Sequence, residues 1–101
     1  MNQQAMLRKA RQLQKEMEET QREIAESLFQ ESAGGVVTVT LRGTKELVEV
    51  KISDDFEVES KEDLEMLQDM IVAACSNAYQ KIDKTTEEKM AKYSAFLGGM
   101  F

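Results

Sequence analysis

Arg8, Arg11 and Lys15, at spacings of three and four, fall on one side of any helix that contains them. With Lys9 they make four cations in residues 2–15, a stretch without a single acid. Cations that converge from one helix side can follow the phosphates of a nucleic-acid backbone. A second group, Lys81, Lys84, Lys89 and Lys92, lies near the other end of the chain against three acids. Between the two groups the balance reverses: residues 16–31 hold six acids against Arg22 alone, and residues 45–69 hold ten against Lys45, Lys51 and Lys61. Such charges most often serve as a solvated surface. Their segregation into basic ends, on a chain of net charge −6, fits a polyanion bound with strong salt dependence, because the acidic middle repels it.

Other chemistry is scarce. The chain has no histidine and one cysteine, Cys75, so the usual zinc sites and every histidine-based acid-base pair lack their groups. Carboxylates and lysines remain, but on a strongly polar helical chain they read as surface. No catalytic, cofactor-binding or metal-ligating residue is assigned, and the chain is not expected to be an enzyme or to bind a small-molecule substrate. Cys75 sits among apolar helix positions and reads as a small buried hydrophobe. Met6, Met17, Met66, Met70 and Met90 read as fillers of gaps in the core. Phe29, Phe56, Phe96, Phe101, Tyr79 and Tyr93 are scattered and make no stacking platform for single-stranded RNA. No apolar run reaches the length of a signal or a membrane span, and one cysteine gives no internal disulfide. The expected location is the cytoplasm, without a membrane partner.

The elements that must carry these charges are two helices and a small sheet. Residues 2–29 lack Gly and Pro and are rich in helix formers, which predicts one long helix. Its apolar positions Met6, Ala10, Leu13, Met17, Thr20 and Ile24 form a seam one side chain wide, suited to a coiled-coil-like contact. At about 1.5 Å per residue the helix is roughly 42 Å long, so its N-terminal end should project beyond a small sheet. Ser32-Ala-Gly-Gly35 ends it. A second helix is expected over 61–93: Ser60 and Asp63 resemble a capping box, and Leu64, Leu67, Ile71, Ala74, Ala78 and Ile82 keep a three-four rhythm. Met70, Val72, Cys75 and Tyr79 widen that face. Thr85 with Glu88 is a second cap signal, so the helix either continues to about Tyr93 or restarts near Thr86. Residues 94–101 read as a flexible apolar tail.

Between the helices, residues 35–58 change to two-residue alternation and predict a small antiparallel sheet. A two-residue turn at Gly43-Thr44 would place Val39 opposite Val48 and Val37 opposite Val50. Phe56–Val58 is a candidate short third strand. A hairpin does not stand alone in water, and 101 residues, 32% of them charged, leave a thin core. A homodimer follows as the expectation, with the apolar face Val37, Val39, Val48, Val50 and Ile52 setting the distance between helical arms. A Val39→Asp change should then abolish binding by dissociating or unfolding the dimer.

Several segments in order carry a resemblance: the Gln- and Met-rich opening helix from Met6 to Met17, Gly35-Val-Val-Thr-Val-Thr-Leu-Arg-Gly43, Val48-Glu-Val-Lys-Ile-Ser53, Leu64-Glu-Met-Leu-Gln-Asp-Met-Ile-Val-Ala-Ala74 with Asn77-Ala78, Glu88-Lys-Met90, and Leu97-Gly-Gly-Met100. Over nearly its whole length the chain resembles the YbaB/EbfC family of bacterial nucleoid-associated proteins. The resemblance implies an α+β homodimer whose protruding helices form a tweezer-shaped opening for double-stranded DNA, bound with low or modest sequence specificity. It places DNA contacts on the arms, here Arg8, Lys9, Arg11 and Lys15 and then Lys81, Lys84, Lys89 and Lys92, positions extrapolated from charge. The competing expectation is an acidic dimeric adaptor or chaperone that offers its coiled-coil arms and apolar tail to another protein.

Overall fold

In a computed structural model, which describes residues 2–98, a helix α1 (Gln3–Glu26) leads into strands β1 (Leu28–Ala33), β2 (Val37–Arg42) and β3 (Leu47–Ile52), followed by a helix α2 (Lys61–Gly98). The strands form one antiparallel sheet in the order β1-β2-β3. The α+β class and the helix–sheet–helix order agree with the sequence. Several boundaries do not. The first helix ends at Glu26 rather than at residue 29. Ser27 leaves it in an extended conformation, its amide donating to the carbonyls of Glu23 and Ile24 and its hydroxyl to Glu23 O at 2.6 Å. Beyond it Leu28-Phe29, both compatible with a helix, pair with Arg42 and Leu41 of β2, because strand pairing and burial of Phe29 outweigh local propensity.

The third strand is therefore β1, and Phe56–Val58 is not a strand. There the chain turns, Phe56 N–H donating to Ser53 O and Asp55 N–H to Ser53 Oγ. The β2–β3 register is also two residues away from that expected: Val39 faces Val50, and Val37 faces Ile52. The connection is longer than two residues, with Arg42 N–H bonded to Glu46 O, Lys45 N–H to Arg42 O and Lys45 at φ 75°, and a register irregularity follows at Thr40/Leu41. A shift of two preserves side-chain parity, so the apolar residues stay on their expected face.

That face packs under α2. Val37, Val39, Leu41 and Phe29 bury against Ala74, Ala78 and Ile82, with Leu67, Met70, Ile71 and Cys75 half-buried around them. The two alanines let the helix approach the sheet closely. The opposite face is polar, with Gln30 Nε2 donating to Thr40 Oγ1 and the Ser32 and Thr38 hydroxyls bonded at 2.9 Å. Ser60 Oγ accepts from Asp63 N–H at the start of α2, as the capping pattern indicated. The helix does not break near residue 85. Thr86 turns its hydroxyl back onto Ile82 O at 2.8 Å within a continuous helix. Residues 94–98, expected in a flexible tail, are its last turn, and 99–101 lie outside the described residues. Val72 and Tyr79, expected to widen the buried face, are exposed instead.

The molecule is long. Its extents are 72 × 21 × 15 Å and its radius of gyration is 20.0 Å, against about 13 Å for a compact chain of this length. The elongation comes from the helices that leave the sheet.

Candidate nucleic-acid interface

α1 and α2 run antiparallel where they meet. At the sheet end, Gly43 N–H donates to Ser27 O and Lys45 Nζ pairs with Asp83 at 2.8 Å. Further out, the Thr20 and Tyr93 hydroxyls bond at 3.2 Å. From that contact, equal helical rise puts Gly98 beside roughly residue 15, leaving the first turns of α1 to extend about 18 Å further. Asn2 caps this free end, its Oδ1 accepting from Ala5 N–H at 2.7 Å.

Arg8, Lys9 and Arg11 stand on the projecting part, and Lys15 stands at its base; all four are exposed. Arg8, Arg11 and Lys15 fall within about 60° of the helix circumference, whereas Lys9 lies well over 90° away. Gln4, Leu7, Arg8 and Arg11 line an open depression of about 310 Å³. No acid occupies the first turn of α1, and no base its last. The charge order, bases early and acids late, opposes the helix dipole and costs a few tenths of a kcal/mol for each terminal group it misplaces. Helix stability does not explain such an order.

The second basic group is not brought to the first. By the antiparallel register, Lys89 and Lys92 lie level with the acidic half of α1. Lys81 Nζ is engaged by Glu31 Oε1 at 3.5 Å, and the Lys92 ammonium lies 5.0 Å from the centroid of the Tyr93 ring. The four lysines spread over about 140° of α2, so they do not make one line. Two residues that position the arm gave no such signal in sequence. Gly43, expected to serve a tight turn, does not have a positive φ; a Cβ there would lie 1.8 Å from Ile24 O, so glycine is required by close approach to the last turn of α1. Lys45 ties the same connection to α2. Among the described residues no cluster of acidic or cysteine side chains could hold a metal ion, and no helix is long and apolar enough to cross a membrane.

Residues 1–97 match the sequence pattern of the YbaB/EbfC DNA-binding family. The chain belongs to that family. It is similar to nucleoid-associated proteins of Lactococcus lactis subsp. cremoris (41% identity, covering 93% of this chain and 94% of the relative), Clostridium novyi (39%, 100% and 90%) and Chloroflexus aurantiacus (35%, 100% of each). A crystal structure of an uncharacterised protein from Helicobacter pylori shares the fold, with a TM-score of 0.70 at 20% identity over 92% of this chain and 97% of that one. The YbaB/EbfC family is one of nucleoid-associated DNA-binding proteins rather than of enzymes.

Proposed function

We propose that this YbaB/EbfC chain works in the bacterial cytoplasm as a nucleoid-associated homodimer that grips double-stranded DNA, chiefly through its phosphates and with low or modest sequence specificity. Its consequences would be for nucleoid organisation and gene expression. The observation that carries the proposal is the free end of α1, where Arg8, Arg11 and Lys15 share one exposed side of a helix that projects beyond α2. From Gln4 to Lys15 that side is roughly 17 Å long, the rise of about five base pairs. Lys9 adds charge from another side. Lys81, Lys84, Lys89 and Lys92 are secondary contacts, placed at the foot of the arm where neighbouring acids reduce their attraction.

The homodimer is supported by what α2 leaves uncovered. It lies across β1 and β2, while all six residues of β3 are exposed. Val50 and Ile52 pair with Val39 and Val37 and so share their apolar face. A free strand edge with uncovered apolar side chains is a surface for a second copy.

DNA retention across a salt series, with wild type and a variant neutralised at Arg8, Lys9, Arg11 and Lys15, tests the proposal. The logarithmic salt slope should flatten by about one unit for each phosphate that the variant no longer neutralises, equally for unrelated duplexes. Identical isotherms for the two proteins would remove the arm tip from the interface.

A further inference from the structure

Leu7 is out of place on a solvated arm. The residues of α1 directed towards α2 follow the seam Ile24, Thr20, Met17, Leu13 and Ala10, and Leu7 lies about 100° around the helix from Met6, the seam's last member. It is 56% exposed, it stands beyond the reach of α2 as far as Gly98, and its neighbours in the open depression are Gln4, Arg8 and Arg11. Here an apolar side chain and an amide share one exposed strip with two guanidiniums and lie on their N-terminal side. Solubility is not served by Leu7, and helix formation would be served as well by Ala.

Resting on the DNA-binding reading, we propose that the end of α1 enters the major groove with Leu7 and Gln4 against base edges while Arg8 and Arg11 hold the flanking phosphates. The occupant follows from charge: two guanidiniums beside an apolar surface fit a polyanion with an apolar group within reach. An α-helix fits the width of the major groove, where the thymine C5-methyl is the apolar group that base pairs present. Gln4, an amide donor and acceptor, suits the neighbouring adenine edge. The arm thereby favours A·T pairs without needing a fixed sequence.

The test uses the dimer and two blunt A·T-rich duplexes identical except that one carries uracil for thymine, which removes only the methyl groups. Wild type should bind the uracil duplex roughly three- to tenfold more weakly, as burial of one or two methyl groups gives. Leu7→Ala should weaken binding to thymine DNA by a similar factor, keep the wild-type salt slope, and show no difference between the duplexes. Arg8→Ala should lower the salt slope and retain the thymine preference. Equal wild-type affinity for the two duplexes, or a Leu7→Ala variant that still prefers thymine, overturns the base contact. If Leu7→Ala and Arg8→Ala both bind as wild type, the arm-tip reading falls with it. Circular dichroism of Leu7→Ala, an exposed substitution that raises helix propensity, controls for folding.

Discussion

At Gly43 a single hydrogen atom decides where an arm can go. A Cβ would meet the Ile24 carbonyl oxygen at 1.8 Å and its carbon at 2.5 Å, both backbone atoms that cannot rotate away. Gly43→Ala should therefore cost about 3 kcal/mol or more in chemical denaturation, with faster amide exchange at the end of α1. Gly35 makes the contrast: space around it is open but φ is +67°, so Gly35→Ala should cost only about 1 kcal/mol, through the left-handed backbone. Equal destabilisation would show that the end of α1 moves to relieve the close approach at Gly43. The sequence shows two glycines beside strands, and nothing in residue type distinguishes a positive φ from close approach to the backbone of a distant helix. The cationic side of α1 is legible in sequence, because helical periodicity fixes which side chains share a face. The engagement of Lys81 with Glu31 is not, because it depends on β1 lying beside α2.

The arm is an element with one supported end. Near the sheet, α1 rests on the β2–β3 connection and on α2; beyond about residue 15, level with Gly98, no element among the described residues runs beside its outer turns. Isolated helices of this length are marginal in water. Amides of residues 6–12 should thus exchange much faster than those of 18–26 and become protected when duplex is added. Uniform protection without DNA would show that something else covers the tip. Tyr93→Phe removes the part-buried partner of Thr20 and should cost about 1 kcal/mol, read as a lower melting temperature. Both long helices are legible from composition and the three-four pattern. The strand after the first is not. Leu28-Phe29-Gln30-Glu31-Ser32-Ala33 has one strong inward apolar residue, Phe29, and becomes β1 because β2 offers it hydrogen bonds and a core. The two-residue difference in register has the same origin, since alternation fixes the face of a strand but not its partner, and the length of the connection is set by Lys45 adopting a left-handed conformation.

At the scale of the proposed dimer the question is how its two arms are held at a distance, and the structure changes which substitution answers it. Val39 is fully buried within one chain, so Val39→Asp would unfold the protomer and say nothing about association. Val50, directly opposite it on β3, keeps 37% of its surface exposed, and a charge there is tolerable in a lone protomer. In the proposed dimer, with Val50 against a second copy, the same charge would be desolvated without a partner, at a cost of several kcal/mol. Val50→Asp should therefore sediment as a folded monomer with wild-type helix content. Its DNA affinity should fall roughly a hundredfold, because two linked arms engage one duplex and a single arm forgoes that effective concentration. Arg8→Ala in the same background should still lower the remaining affinity, separating what each tip contributes from what pairing adds. A Val50→Asp protein that remains dimeric would place the interface elsewhere, on the exposed side of α2 that carries Val72 and Tyr79, and would detach the spacing of the arms from the sheet.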